Sequence, residues 1–106
     1  MPQIREAVIV EYVRSAFSRS RPREPEKDVF NSLRMDAVAG MLIKELIKRT
    51  KVNAKEINDV VVGTAFPVAE QWTYGGRTAV FKAELPFEVP AEQIDRQCGA
   101  SMSALH

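Results

Sequence analysis

Residues 94–106 read IDRQCGASMSALH, and they hold the chain's one cysteine, Cys98, and its one histidine, His106. Ahead of them, Val89 to Asp95 reads as a strand. Behind them, Cys98 to His106 is rich in small residues and reads as the start of a helix. In sheets of parallel strands, chemistry gathers where a strand ends and the next helix begins. Cys98 sits at such a junction, and the junction admits two readings. A lone free cysteine commonly serves as a small buried hydrophobe. A thiol in the first turn of a helix instead feels unpaired backbone N–H groups and the positive end of the dipole, which favour the reactive thiolate. An acyl group on it would then direct its carbonyl oxygen toward those N–H groups.

Upstream of this junction, strands and helices alternate. Residues 7–13, AVIVEYV, are rich in β-branched side chains and predict a largely buried strand. From Ser32 to Thr50, Met35, Val38, Ala39, Leu42, Ile43 and Leu46 recur at helical spacing and form one apolar stripe. Asn31 or Ser32 is the expected cap, and Lys48, Arg49 and Lys51 oppose the dipole at the far end. Val60 to Val62 predict a second buried strand ending near Gly63, a glycine expected to permit a tight turn. A helix is expected over Arg77 to Glu84, broken by LPFEVP. The order is β-α-β-α-β-α, which predicts an α/β fold with a parallel sheet.

Composition bounds the function. The 106 residues suit one small domain, and 45% are hydrophobic and 27% charged, an ordinary globular mixture. A formal net charge of +1 gives no bulk attraction to nucleic acid or to a membrane surface. A single cysteine excludes an internal disulfide and any cysteine-based metal cluster. Glu6 and Glu11 interrupt the first apolar run, which argues against a signal peptide, and no stretch approaches the roughly 20 apolar residues that span a bilayer. A cytoplasmic protein is the expectation. In the loop from Arg14 to Asp28, Arg19, Arg21 and Arg23 run straight into Glu24, Glu26 and Asp28, so a solvated mixed-charge loop is expected rather than a phosphate site. Trp72 and Tyr74 fit either a tunnel or subunit contact or core packing, and Arg77 reads as structural.

The segment Asp95-Arg96-Gln97-Cys98-Gly99-Ala100-Ser101-Met102-Ser103-Ala104 resembles the active-site cysteine motif of the thiolases, N-R-x-C-G-S-G-x-x-A. Arg96, Cys98, Gly99 and Ala104 match it; Asp95 stands for the usual Asn, and Ala100-Ser101 for Ser-Gly. Three other segments match in the family's order. VRSAF at Val13–Phe17 is similar to V-R-T-P-F, INDVVVGTA at Ile57–Ala65 to V-D-x-V-I-x-G, and GGRTAVFKAELPFEVPA at Gly75–Ala91 to the stretch ahead of the cysteine. The related ketosynthases carry a cysteine at this point but usually lack the V-R-x-x-F opening.

The resemblance implies a thiolase-like layered fold, of which residues 1–106 are the first β-α-β-α-β-α portion of the N-terminal half. It implies acyl transfer between acyl-CoA and CoA or acetyl-CoA, with acetyl-CoA acetyltransferase chemistry the best single expectation. Cys98 is implied as the acyl-accepting nucleophile. Coenzyme A thioesters are then substrates, no cofactor is bound permanently, no metal is needed, and the complete protein is a homodimer or homotetramer.

The family's other catalytic groups lie in a Gly-His-Pro segment, an Asn-Glu segment and a second cysteine loop, none of which falls within these residues. His106 is not followed by Pro. Eight positions along a continuous helix would also set it about 12 Å from Cys98, beyond hydrogen-bond reach. The 106 residues by themselves are therefore expected to be inactive. The rival expectations are a non-catalytic interaction module or split subunit docking on a partner, and a ketosynthase-type condensing enzyme.

Overall fold

A computed structural model describes residues 2–106. Helix α1 spans Met35–Thr50, strand β1 Val60–Thr64, helix α2 Gly75–Lys82, strand β2 Ala91–Asp95 and helix α3 Ala100–Leu105. Short 3-10 turns at Pro25–Lys27, Ala54–Glu56, Ala69–Gln71 and Gln97–Gly99 punctuate the connections.

β1 and β2 pair in parallel, with Val60 opposite Ala91, Val62 opposite Gln93 and Thr64 opposite Asp95. Side chains alternate between the faces of a strand, so these pairs share one face, against which α2 lies. Val80, Ala83, Leu85 and Val89 form the buried cluster there, with Ile43 and Ile47 of α1 and Val60 and Ala91 of the sheet packed on it. Val61, Gly63, Glu92 and Ile94 take the other face, where α3 packs, mainly on β1. The result is three layers, α1 and α2 on one side of a two-stranded sheet and α3 on the other. This is the expected α/β arrangement.

Where α1 meets α2, Gly40 lets the backbones touch: a methyl on it would fall 2.7 Å from the Lys82 carbonyl carbon and 2.9 Å from the Ala83 nitrogen. On the sheet side of α2, Gly76 similarly lies against the Glu92 carbonyl, 2.8 Å from where its Cβ would be.

Three expectations are corrected. Residues 7–13 form no strand; they run through an arm without regular structure, with Val8, Ile9, Val10 and Tyr12 each at least 69% exposed. A strand gains its stability from a ladder and from side chains packed on its faces, and this sheet ends at β1 and β2. The arm is tied to α1 by Arg49, whose Nη1 donates to the Tyr12 carbonyl at 3.3 Å. The expected caps Asn31 and Ser32 are displaced by Arg34, which takes the N-cap position without a side-chain cap bond. Glu70, far along the chain, supplies that bond instead, its Oε1 accepting from the Met35 N–H at 2.9 Å. Gly63 makes no turn: no glycine has a positive φ among the described residues, and Gly63 lies inside β1.

Candidate functional site

The segment that carries Cys98 is a strand-to-helix turn. β2 ends at Asp95, the 3-10 turn Gln97–Gly99 follows, and α3 starts at Ala100. Gln97 takes a left-handed backbone, φ 44°, and its N–H points to Asp95 Oδ1 at 3.4 Å. The turn is closed by the Gly99 N–H donating to the Arg96 carbonyl at 2.9 Å and the Ala100 N–H donating to the Gln97 carbonyl. Cys98 therefore lies in the turn ahead of α3 rather than inside its first turn. The thiol is exposed, not buried among apolar side chains. Among the described residues it is not packed as core filler.

The amides of Gly99 and Ala100 are occupied by the turn itself. Arg96 folds over the turn: its Cγ lies 3.8 Å from where a Cβ on Gly99 would stand, and its Nη1 reaches Ser103 Oγ at 3.4 Å. His106 closes α3, its N–H donating to the Met102 carbonyl at 3.1 Å, and no hydrogen bond joins its ring to Cys98.

On the opposite face, a polar network braces the loop between β1 and α2. Thr64, buried at the end of β1, donates to Gln71 Oε1 at 3.1 Å. Gln93 of β2 donates to the Gln71 carbonyl at 2.5 Å and accepts the Gly76 N–H at 3.0 Å. The network fixes the loop at its base and leaves Trp72 and Tyr74 outside. Those rings meet edge to face at 5.0 Å and are half-exposed or more. They are not core residues.

Arg77 is a structural latch, as its position at a helix start suggests. It donates to the carbonyls of Val89 and Phe87 and lies 4.6 Å over the Phe81 ring. In the arginine loop, Arg21 and Lys27 both pair with Glu24, which matches a mixed-charge surface. The cleft lined by Lys55, Ile57, Pro86, Glu88 and Val89 opens beside the starts of both strands, at the end of the sheet away from Cys98. It belongs to different geometry.

Among the described residues, buried charge is confined to the start of α1. Arg34 grips Asp36 with two bonds, Nε to Oδ1 at 3.1 Å and Nη2 to Oδ2 at 2.9 Å, and the Asp36 side chain is only 2% exposed. The guanidinium bonds hold the Asp36 carboxyl below its ordinary range against the opposing effect of burial. The Met35 N–H does the same for Glu70. Nothing in the residue types announced Glu70, Gln71 or Gln93 as the braces of this face, because Glu70 and Gln93 act on backbone groups distant in sequence and Gln71 meets the Thr64 hydroxyl across the loop.

Comparison with known proteins bears on the same turn. The sequence pattern of the family described as "Thiolase, N-terminal domain" matches residues 7–106, Cys98 and its turn included. The chain belongs to the thiolase family. It is 33% identical over 102 residues to a 3-ketoacyl-CoA thiolase of Acinetobacter baylyi, covering 96% of this chain and 25% of that protein. The 3-ketoacyl-CoA thiolases of Acinetobacter baumannii and of a Psychrobacter species are 33% and 30% identical over the same span. This thiolase chain thus spans about a quarter of the length of the curated relatives it matches. Among its described residues, no helix is long and apolar enough to cross a membrane.

Proposed function

We propose that Cys98 is the acyl-accepting nucleophile of a thiolase-type acyltransferase, and that its substrates are coenzyme A thioesters. The observation that carries this reading is an exposed thiol on a strand-to-helix turn, within the part of the chain that matches the thiolase N-terminal domain. The Cys98 sulfur attacks the carbonyl carbon of the acyl thioester. The bond from that carbon to the CoA sulfur breaks, and CoA leaves with the proton lost by the thiol. The acyl group is then held as a thioester on Cys98 and passes to CoA, or to the carbanion of an acetyl-CoA. Such covalent catalysis divides one hard transfer into two easier ones.

The relatives' names favour 3-ketoacyl-CoA as the substrate that is split, which narrows the acetyl-CoA acetyltransferase expectation. There the Cys98 sulfur attacks the 3-keto carbon, the bond from that carbon to C2 breaks, and acetyl-CoA leaves with the proton lost by the thiol. The described residues place no histidine against the thiol, so the 106 residues alone are expected to lack turnover. No permanently bound cofactor enters this chemistry. A homodimer or homotetramer of the complete protein, located in the cytoplasm, is part of the same proposal.

Incubation of the natural full-length protein with an acyl-CoA, followed by peptide mass spectrometry, tests the assignment. An acyl adduct on the peptide carrying Cys98, absent in Cys98→Ala, supports it. An adduct at another site that survives Cys98→Ala refutes it. A second reading, a docking unit without chemistry, draws on the exposed apolar arm. It requires partner binding that is indifferent to Cys98→Ala and a thiol that acyl-CoA never modifies.

A further inference from the structure

We infer that Gly63 is a positioning residue for Cys98, acting as the seat on which the turn of the nucleophile rests; the inference rests on the reading of Cys98 given above. Gly63 lies in the interior of β1, opposite Ile94, on the face that α3 covers. A methyl group added to it would stand 2.5 Å from the Ala100 carbonyl oxygen, 2.6 Å from its carbon and 2.9 Å from the Ser101 nitrogen. All three are backbone atoms, so no rotamer change relieves the contact. Gly63 does not have a positive φ, so glycine is required here for room rather than for conformation.

The consequence follows from which partner yields. β1 is held by its ladder to β2 and by α2 on its other face. The contact falls on the first two residues of α3, Ala100 and Ser101. The helix start is therefore the part that moves. Its displacement passes directly to the thiol, because the Ala100 N–H is bonded to the Gln97 carbonyl across the turn that contains Cys98. Gly63 touches neither thiol nor substrate; it sets the height of the turn above the sheet.

Gly40 provides a matched comparison. A methyl there meets backbone just as closely, but between α1 and α2, on the layer away from α3. In the natural full-length protein, Gly63→Ala and Gly40→Ala are compared by the rate and amplitude of Cys98 acylation over a range of acetyl-CoA or 3-ketoacyl-CoA concentrations. Iodoacetamide labelling of Cys98 serves as a parallel probe that needs no acyl chemistry.

Gly63→Ala is expected to slow acylation at saturating thioester at least ten-fold per folded molecule, with the half-saturating concentration within two-fold of the parent. Its labelling rate changes several-fold alongside. Gly40→Ala is expected to lose amplitude in proportion to unfolded protein and to keep both rates. Parent-like rates in folded Gly63→Ala overturn the proposal. If Gly63→Ala fails to fold, Ala100→Gly loosens the same seat without a clash. Acylation at least three-fold slower supports the seat, and an unchanged rate overturns it. If even the parent is not acylated, the reading of Cys98 as acyl acceptor fails; the labelling rates then decide on the seat alone, by the same comparison of Gly63→Ala with Gly40→Ala.

Discussion

Asp36 shows how single residues set the behaviour of the packed unit. Its carboxylate is almost wholly enclosed, and the Arg34 guanidinium holds it ionised. Glu70 is held ionised by the Met35 N–H it caps. Both groups have folded pKa values below their unfolded ones. Their stabilisation is complete above the ordinary carboxylate range and is lost as the pH falls through the depressed values. Thermal melts from pH 7 to pH 2.5 should show a plateau followed by an acid-side fall. Asp36→Asn should lower the plateau and flatten the fall; an unaltered acid limb would show that the Arg34 pair carries no pH dependence. The thiol was legible as a candidate from residue type and place alone, whereas the Arg34–Asp36 pair and the Glu70 cap were not. Arg34 lies two residues from Asp36, outside the i,i+3 and i,i+4 pairs of a helix, and Glu70 lies thirty-five from the Met35 amide it caps.

The elements divide by how local their causes are. α1 declared itself through its apolar stripe, and β1, α2 and β2 through short apolar runs between breakers, each within a few residues of its observed bounds. The boundaries moved where tertiary contacts took over, as when Glu70 replaced a local cap on α1. The far end of α1 closes on Lys51, whose backbone is left-handed at φ 57°. A residue with a Cβ pays a steric penalty there that glycine does not. Lys51→Gly should stabilise the unit by about 0.5–1 kcal/mol, read as a rise of a few degrees in Tm; a fall would show that the lysine side chain contributes more than its backbone costs. Gly40→Ala acts in the opposite direction. Its methyl would press on Lys82 and Ala83 backbone, an overpacking that costs about 1–3 kcal/mol, and chemical denaturation should give a lower midpoint with little change in slope.

At the scale of the whole molecule, the arm at residues 7–13 is the instructive failure of sequence reading. Its composition fits a buried strand, but burial needs a surface to bury against, and composition carries no information about that surface. The described chain exposes 8743 Å², where a compact monomer of this mass exposes roughly 5,900 Å². The radius of gyration, 15.3 Å, likewise exceeds the ~13 Å of a compact chain of about this length. The excess surface is larger than a standard protein interface of roughly 1,600 Å², and the arm contributes the exposed Val8, Ile9, Val10 and Tyr12 to it. Expressed as these 106 residues alone, the chain should self-associate in size-exclusion chromatography, and Val8→Lys with Val10→Lys should shift it toward monomer. A monomeric parent chain would refute that view of the arm. The turn at Cys98 holds the proposed chemistry, and protection of its thiol is the deciding measurement. Iodoacetamide labelling of Cys98 in the natural full-length protein is followed before acyl-CoA, after acyl-CoA, and after free CoA is added in excess. An acyl acceptor predicts loss of labelling with acyl-CoA and its return with CoA; labelling at one unchanged rate through all three stages would contradict the account.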